Sequence, residues 1–118
     1  TKIKIHYTIG CHPADKIHFV EKEKIISLVQ QKKDDLKLVG IGEIGLDFYH
    51  DKESKKEQIA IFHEFLDLAA ETNLQVIIHS RDSAEETFQM LNTAPYAQVH
   101  LLENDFQLPE LNGFFLIL

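Results

Sequence analysis

A chain of 118 residues, 44% of them hydrophobic, is long enough for one core and short for two, and no apolar run reaches the roughly 20 residues of a membrane span. A formal charge of −7 argues against a nucleic-acid binder that works through a basic groove and counterion release, but not against an enzyme whose acidic pocket is neutralised by divalent ions. Cys11 is the single cysteine and closes no internal disulfide, which together with a start that lacks a basic-plus-apolar leader predicts a cytoplasmic or nuclear setting.

Short apolar strands alternate with helical patterns along the chain, the signature of α/β architecture built from parallel βα units in one domain, 1–118. The first strand is expected over 3–9 and runs into Gly10-Cys-His-Pro13, where His12 is either a turn residue or part of a site. A helix follows over 15–33; its mixed charge runs, Lys22 to Lys24 and Lys32 to Asp35, read as a solvated face and end. The next strand, 37–43, leads through Val39-Gly-Ile-Gly-Glu-Ile-Gly-Leu-Asp47. Strands buried in a parallel sheet are apolar, so a carboxylate at Glu43 needs a cation, a metal ion or hydrogen-bond donors. The glycines around it are expected to give something room to approach the backbone closely.

Ser54-Lys-Lys-Glu57 has capping-box spacing and opens a helix over 54–72, with Ile59, Phe62, Phe65, Leu66 and Ala69 on one face as core residues. Asn73 is a plausible left-handed terminator. A strand over 74–79 ends in His79 and is followed by Ser80-Arg-Asp82, then by a helix over 83–92 whose Ser83 and Glu86 repeat the capping-box spacing. A strand over 97–102 contains His100, and a last one, 114–118, is wholly apolar and wants burial inside the sheet or against another subunit.

In parallel α/β sheets function gathers where strands end and loops lead to helices. His12, Glu43, His79 and His100 are expected there, and glutamate with histidine is a common ligand set for divalent first-row ions. Each has a plainer reading: Glu43 could pair with a buried cation, and the histidines could be turn or core residues. Asp47 is placed behind the site, orienting a ligand or a basic group. Arg81 either clamps a phosphate through its guanidinium fork or pairs with Asp82, Glu85 or another acidic neighbour, and Asp82 could cap the third helix. His18, His50 and His63 are read as surface residues without a chemical role.

These segments resemble the TatD family of metal-dependent deoxyribonucleases, within the amidohydrolase-like TIM barrels. The resemblance rests on Gly10-Cys-His-Pro13, Ile41-Gly-Glu-Ile-Gly-Leu-Asp-Phe-Tyr49 and Val76-Ile-Ile-His-Ser-Arg-Asp82, with Gln58, Phe62, Leu68 and Ala69 in the intervening helix and Thr87 and Leu91 in the next. It implies a hydrolase of DNA phosphodiester bonds that uses divalent ions, two of them, as magnesium, manganese or zinc. It further implies Glu43 as a shared ligand, His79 and His100 as ligands, and His12 near metal or phosphate. The family's Asp-x-His-x-His and Thr-Asp-x-Pro segments do not occur in these residues. A complete (β/α)₈ barrel takes roughly 250 residues, so a partial or open barrel of about five strands is expected. An open sheet leaves a non-catalytic relative as the alternative, acting by binding or as a homodimer, with Phe114 to Leu118 as the candidate seam.

Overall fold

The computed structural model describes residues 5–92, 100–102 and 114–117, the last two segments by their backbone. In chain order the elements are β1 (Tyr7–Ile9), α1 (Ile17–Lys32), β2 (Leu38–Asp47), α2 (Lys55–Thr72), β3 (Gln75–Arg81), α3 (Ala84–Leu91), β4 (His100–Leu102) and β5 (Phe114–Ile117). All four strand pairings are parallel, in the order β1-β2-β3-β5-β4. The expected open sheet of five parallel strands is therefore present. No helix among the described residues is long and apolar enough to cross a membrane.

β2 is the hub of the sheet. Flanked by β1 and β3 and covered by α2, it buries Leu38, Ile41, Ile44, Leu46 and Phe48 just beyond its end, which is why its sequence is an apolar run rather than an alternation. α2 lays Ile61, Phe62, Phe65, Leu66, Leu68 and Ala69 on this sheet. Ile59, expected on that face, is only partly buried, and Gln58 takes a fully buried place instead. α1 contributes Val29 to the core and is tied to α2 by Lys22, whose Nζ donates to Glu64 Oε2 at 2.8 Å.

The helix ends show where local rules hold and where tertiary partners displace them. Asn73 terminates α2 in the left-handed region, φ 56°, with its N–H on the Ala69 carbonyl. Neither expected capping box forms. Ser54 and Ser83 occupy the N-cap positions, but their hydroxyls make no cap hydrogen bond. Ser54 Oγ accepts from Gln58 Nε2 at 3.0 Å, whereas Ser83 Oγ donates across to the Leu46 carbonyl at 3.2 Å and so receives the Ser80 hydroxyl at 2.8 Å. Asp82 is not the cap either; it precedes Ser83 with a positive φ of 52°.

Two expectations about the end of the chain give way. β5 is not a free seam, since it pairs with β3 on one side and β4 on the other. Its wholly apolar sequence takes the inner place, leaving β4 at the edge. His100 consequently opens an edge strand: Leu101 is level with Phe115, which is level with Val76, so His100 lies level with Gln75 at the amino end of β3. The carboxyl-end position expected for it is not where its backbone sits.

Candidate metal centre

β2 and β3 run side by side to the same end of the sheet, and their register sets the centre's geometry. Gly45 pairs with His79 and Asp47 with Arg81, while the ladder shifts between Gly42 and Ile44. Glu43 is the residue inside that shift. A bulged residue leaves the ladder and re-aims its side chain, and the Glu43 carboxylate, about one-third exposed, comes within 3.8 Å of His79 Nδ1 through Oε1. His12 enters from the turn after β1, its ring centroid 4.5 Å from that of His79. One ligand atom from each of His12, Glu43 and His79 lies within 4.8 Å of the others.

The glycines of β2 serve the sheet. A Cβ on Gly42 would lie 2.6 Å from the Ile77 Cβ, and one on Gly10 would lie 2.6 Å from the Gly42 carbonyl. Gly45, at φ +142°, brings its Cα so close to β3 that a Cβ would stand 2.0 Å from the His79 carbonyl oxygen. The space expected for an incoming ligand is filled at these positions by neighbouring strands.

Asp47 is fully buried behind the cluster. Its Oδ1 accepts the amides of Tyr49 at 3.1 Å and His50 at 2.7 Å, and its Oδ2 accepts His50 Nδ1 and His79 Nε2, both at 2.8 Å. With its proton held on Nε2 by this carboxylate, His79 presents the lone pair of Nδ1 toward Glu43, the arrangement by which a carboxylate orients a ligating imidazole. Gln58 completes the support: its Oε1 accepts the Asp47 amide at 2.7 Å and its Nε2 donates to the Asp47 carbonyl at 3.1 Å, clamping the end of β2 to α2.

Burial alone would raise the Asp47 pKa, but the hydrogen bonds from the His50 amide, the His50 ring and the His79 ring outweigh it and lower it from 3.8 to about 2. The folded state then binds this proton less readily than the unfolded chain. Its contribution is fully present above about pH 4 and is lost as pH falls through about 2, on the order of 2 kcal/mol in all. Thermal melts stepped from pH 5 to pH 2 should show that loss, and an Asp47→Asn chain should be flatter over the same interval. Parallel acid profiles for the two would contradict the assignment.

His12 carries an internal tension. Its Nδ1 accepts the Ala14 amide at 3.1 Å, which places the ring proton on Nε2 and makes that atom a donor. Ligating an ion requires giving up this contact, a loss of about 1 kcal/mol. His50, read as a bystander, instead donates to Asp47. An aspartate three residues before it in a turn is a signal for the backbone contact, but nothing local announces the ring contact.

Arg81 follows His79 by two residues on the same face of β3, and its guanidinium lies 4.7 Å over the Tyr49 ring. The salt bridges considered for it with Asp82 or Glu85 do not form. Two imidazoles and a carboxylate, one imidazole oriented by a buried aspartate, suit zinc or another divalent first-row ion. Cys11, buried next to His12 with its thiol pushed up to about 11 mainly by burial, is a packing residue.

A family model described as TatD related DNase matches residues 1–108. The chain is 38% identical over 87 residues to the uncharacterized metal-dependent hydrolase YabD of Bacillus subtilis, covering 74% of this chain and 33% of that protein. It is 36% identical over 97 residues to the 3'-5' ssDNA/RNA exonuclease TatD of Escherichia fergusonii, covering 76% and 36%. Among solved structures, the TatD homologue YJJV of Escherichia coli K12 superposes with a TM-score of 0.63 at 31% identity, over 74% of this chain and 34% of that one. The chain thus spans about a third of the length of these relatives.

Proposed function

The chain belongs to the TatD-related DNase family, and from that premise we propose that it carries a divalent-metal centre of a hydrolase acting on DNA phosphodiester bonds, in a cytoplasmic or nuclear setting. The observation that carries this reading is the meeting of His12 from the turn after β1, Glu43 from the bulge of β2 and His79 from β3, with ligand atoms within 4.8 Å. Glu43 and His79 would hold the ion, and His12 would complete the set or face the substrate. Bound divalent ions, two in this reading and of magnesium, manganese or zinc type, would supply water activation and charge stabilisation for an in-line displacement.

The chain's own residues divide the remaining work. Asp47 keeps the His79 proton on Nε2 and the ring in place. His12, with its proton on Nε2, can donate to a phosphate oxygen. Arg81, two residues after His79 on β3 with its guanidinium 4.7 Å over the Tyr49 ring, would pair with a neighbouring phosphate. His100 is left out of the proposed ligand set, because its backbone lies level with the amino end of β3 and two strands away.

Isothermal titration of the chain with manganese, magnesium and zinc tests the reading. The parent is expected to bind at least one of them, while Glu43→Ala and His79→Ala each weaken binding a hundredfold or more. No binding by the parent would sink the proposal. Metal-dependent loss of single-stranded DNA that disappears in Glu43→Ala would then separate a nuclease from an amide or ester hydrolase.

The free edges of β1 and β4 in the described sheet favour a second reading, a non-catalytic relative that binds a partner or self-associates as a homodimer. Light scattering that finds twice the chain's mass, together with absent metal binding, would support it over the first.

A further inference from the structure

Tyr49 and Arg81 form a second feature at the same end of the sheet, two residues on from Asp47 and His79. Tyr49 is 56% exposed, yet its position is not loose. Its amide is held by Asp47 Oδ1, and the preceding residue, Phe48, donates its N–H to the Arg81 carbonyl at 2.9 Å. Arg81 is therefore pinned to the turn that carries Tyr49, and its guanidinium lies 4.7 Å from the ring centroid. Arg81 is level with Asp47 across the β2–β3 pairing and two residues beyond His79, about 7 Å along β3, while Tyr49 sits in the turn two residues after Asp47.

The charge of this pair is unusual for its surroundings. The chain carries 19 acidic against 12 basic residues, yet Arg81 makes no ion pair with any described carboxylate, although Asp82 and Glu85 are close in sequence. An exposed aromatic ring backed by an uncompensated guanidinium offers a flat, polarisable, positive surface. Neutral apolar ligands gain little from the charge, and a bare phosphate gains little from the ring. A nucleotide uses both, its base stacking on the aromatic or guanidinium plane and its phosphate meeting the charge.

We propose that Tyr49 and Arg81 form a nucleobase platform that stacks one base of a single-stranded nucleic acid beside the metal centre. The proposal rests on the phosphodiester reading for its choice of ligand, and it deepens that reading by assigning one base of the strand to this pair of side chains. A base inside a duplex already stacks on its neighbours and cannot reach the platform without being pulled out, so duplex ends and single strands are favoured. Tyr49 acts by contact with the base; Arg81 contributes its plane as well as its charge.

The test measures binding without cleavage, so that its failure is distinguishable from failure of the catalytic reading. An oligothymidine carrying one 2-aminopurine near its 3′ end is titrated with the full chain in EDTA, and the experiment is repeated with an abasic site at that position. The parent should quench 2-aminopurine and bind the abasic strand about tenfold more weakly, in line with the worth of one stacked base. Tyr49→Ala should erase that difference, Tyr49→Phe should keep it, and Arg81→Lys should reduce it while leaving the charge. Equal affinity of the parent for the two strands, no binding of either, or an unchanged difference in Tyr49→Ala would overturn the platform. Retained base preference in a chain that binds no metal would sustain it while refuting the hydrolase.

Discussion

Gly45→Ala is expected to remove at least about 3 kcal/mol of stability, enough to unfold much of a domain whose whole margin is about 5–15 kcal/mol. Two independent obstacles meet at this position. The backbone sits at φ +142°, where L-residues are strained, and the new Cβ would stand 2.0 Å from the His79 carbonyl oxygen. That oxygen belongs to the strand backbone and cannot swing away as a side-chain tip can. Relief requires β2 and β3 to part at the level of His79, which would also disperse the metal centre. Gly40→Ala is the comparison: its Cβ would meet the Gln75 carbonyl oxygen at 3.0 Å with ordinary backbone angles, so a smaller loss is expected. Urea unfolding followed by circular dichroism measures both. Equal midpoints for Gly45→Ala and the parent would show that the strands are not packed as described.

Asp47→Asn is expected to weaken metal binding by 10- to 100-fold, although residue 47 touches no ion in the proposed set. The reason is a single proton. Asp47 Oδ2 accepts from both His79 Nε2 and His50 Nδ1, so it can hold the His79 proton on the far side of the ring from Glu43. An asparagine oriented to satisfy either histidine must accept on that same atom; turned the other way it presents N–H groups to both rings. In the second orientation His79 moves its proton to Nδ1, and the lone pair that faces Glu43 is lost. The buried group also anchors the amides of Tyr49 and His50, so a stability loss of about 1–3 kcal/mol accompanies the change. Titration with zinc or manganese, set beside a thermal melt, distinguishes the effects. A variant that melts earlier but binds the ion as tightly as the parent would reduce Asp47 to a purely structural role.

The candidate site was legible to the extent that chemistry is written in single residues. A carboxylate in an apolar strand at Glu43 and a histidine closing Val76-Ile-Ile-His79 are anomalies that any buried strand makes conspicuous. Their meeting with His12 was expected from a common place at strand ends, but β2 and β3 continue to Asp47 and Arg81, and the two candidate ligands meet inside the paired strands. Asp47 was recognisable as a supporting residue. His50 was not, because its ring is placed by a tertiary contact and its surroundings in sequence are those of any polar turn. The serines at 54 and 83 show the converse. Their spacing to Glu57 and Glu86 is that of a capping box, yet Gln58, Ser80 and the Leu46 carbonyl offer nearer partners once the helices lie on the sheet.

By itself the sequence determined the kinds and order of the elements, the apolar face of α2, the left-handed stop at Asn73 and the residues able to bind an ion. These depend on side chains two to four positions apart, whose contacts form within one element whatever the rest of the chain does. Only the tertiary structure decided that β5 enters between β3 and β4, that His100 falls level with Gln75, that the bulge aims Glu43 toward His79, and that two histidines share one oxygen of Asp47. Those outcomes are competitions among distant groups for the same ladder edge or the same lone pair. Local spacing contains no term that ranks such competitors, since the winner depends on which surfaces the whole chain brings together and buries.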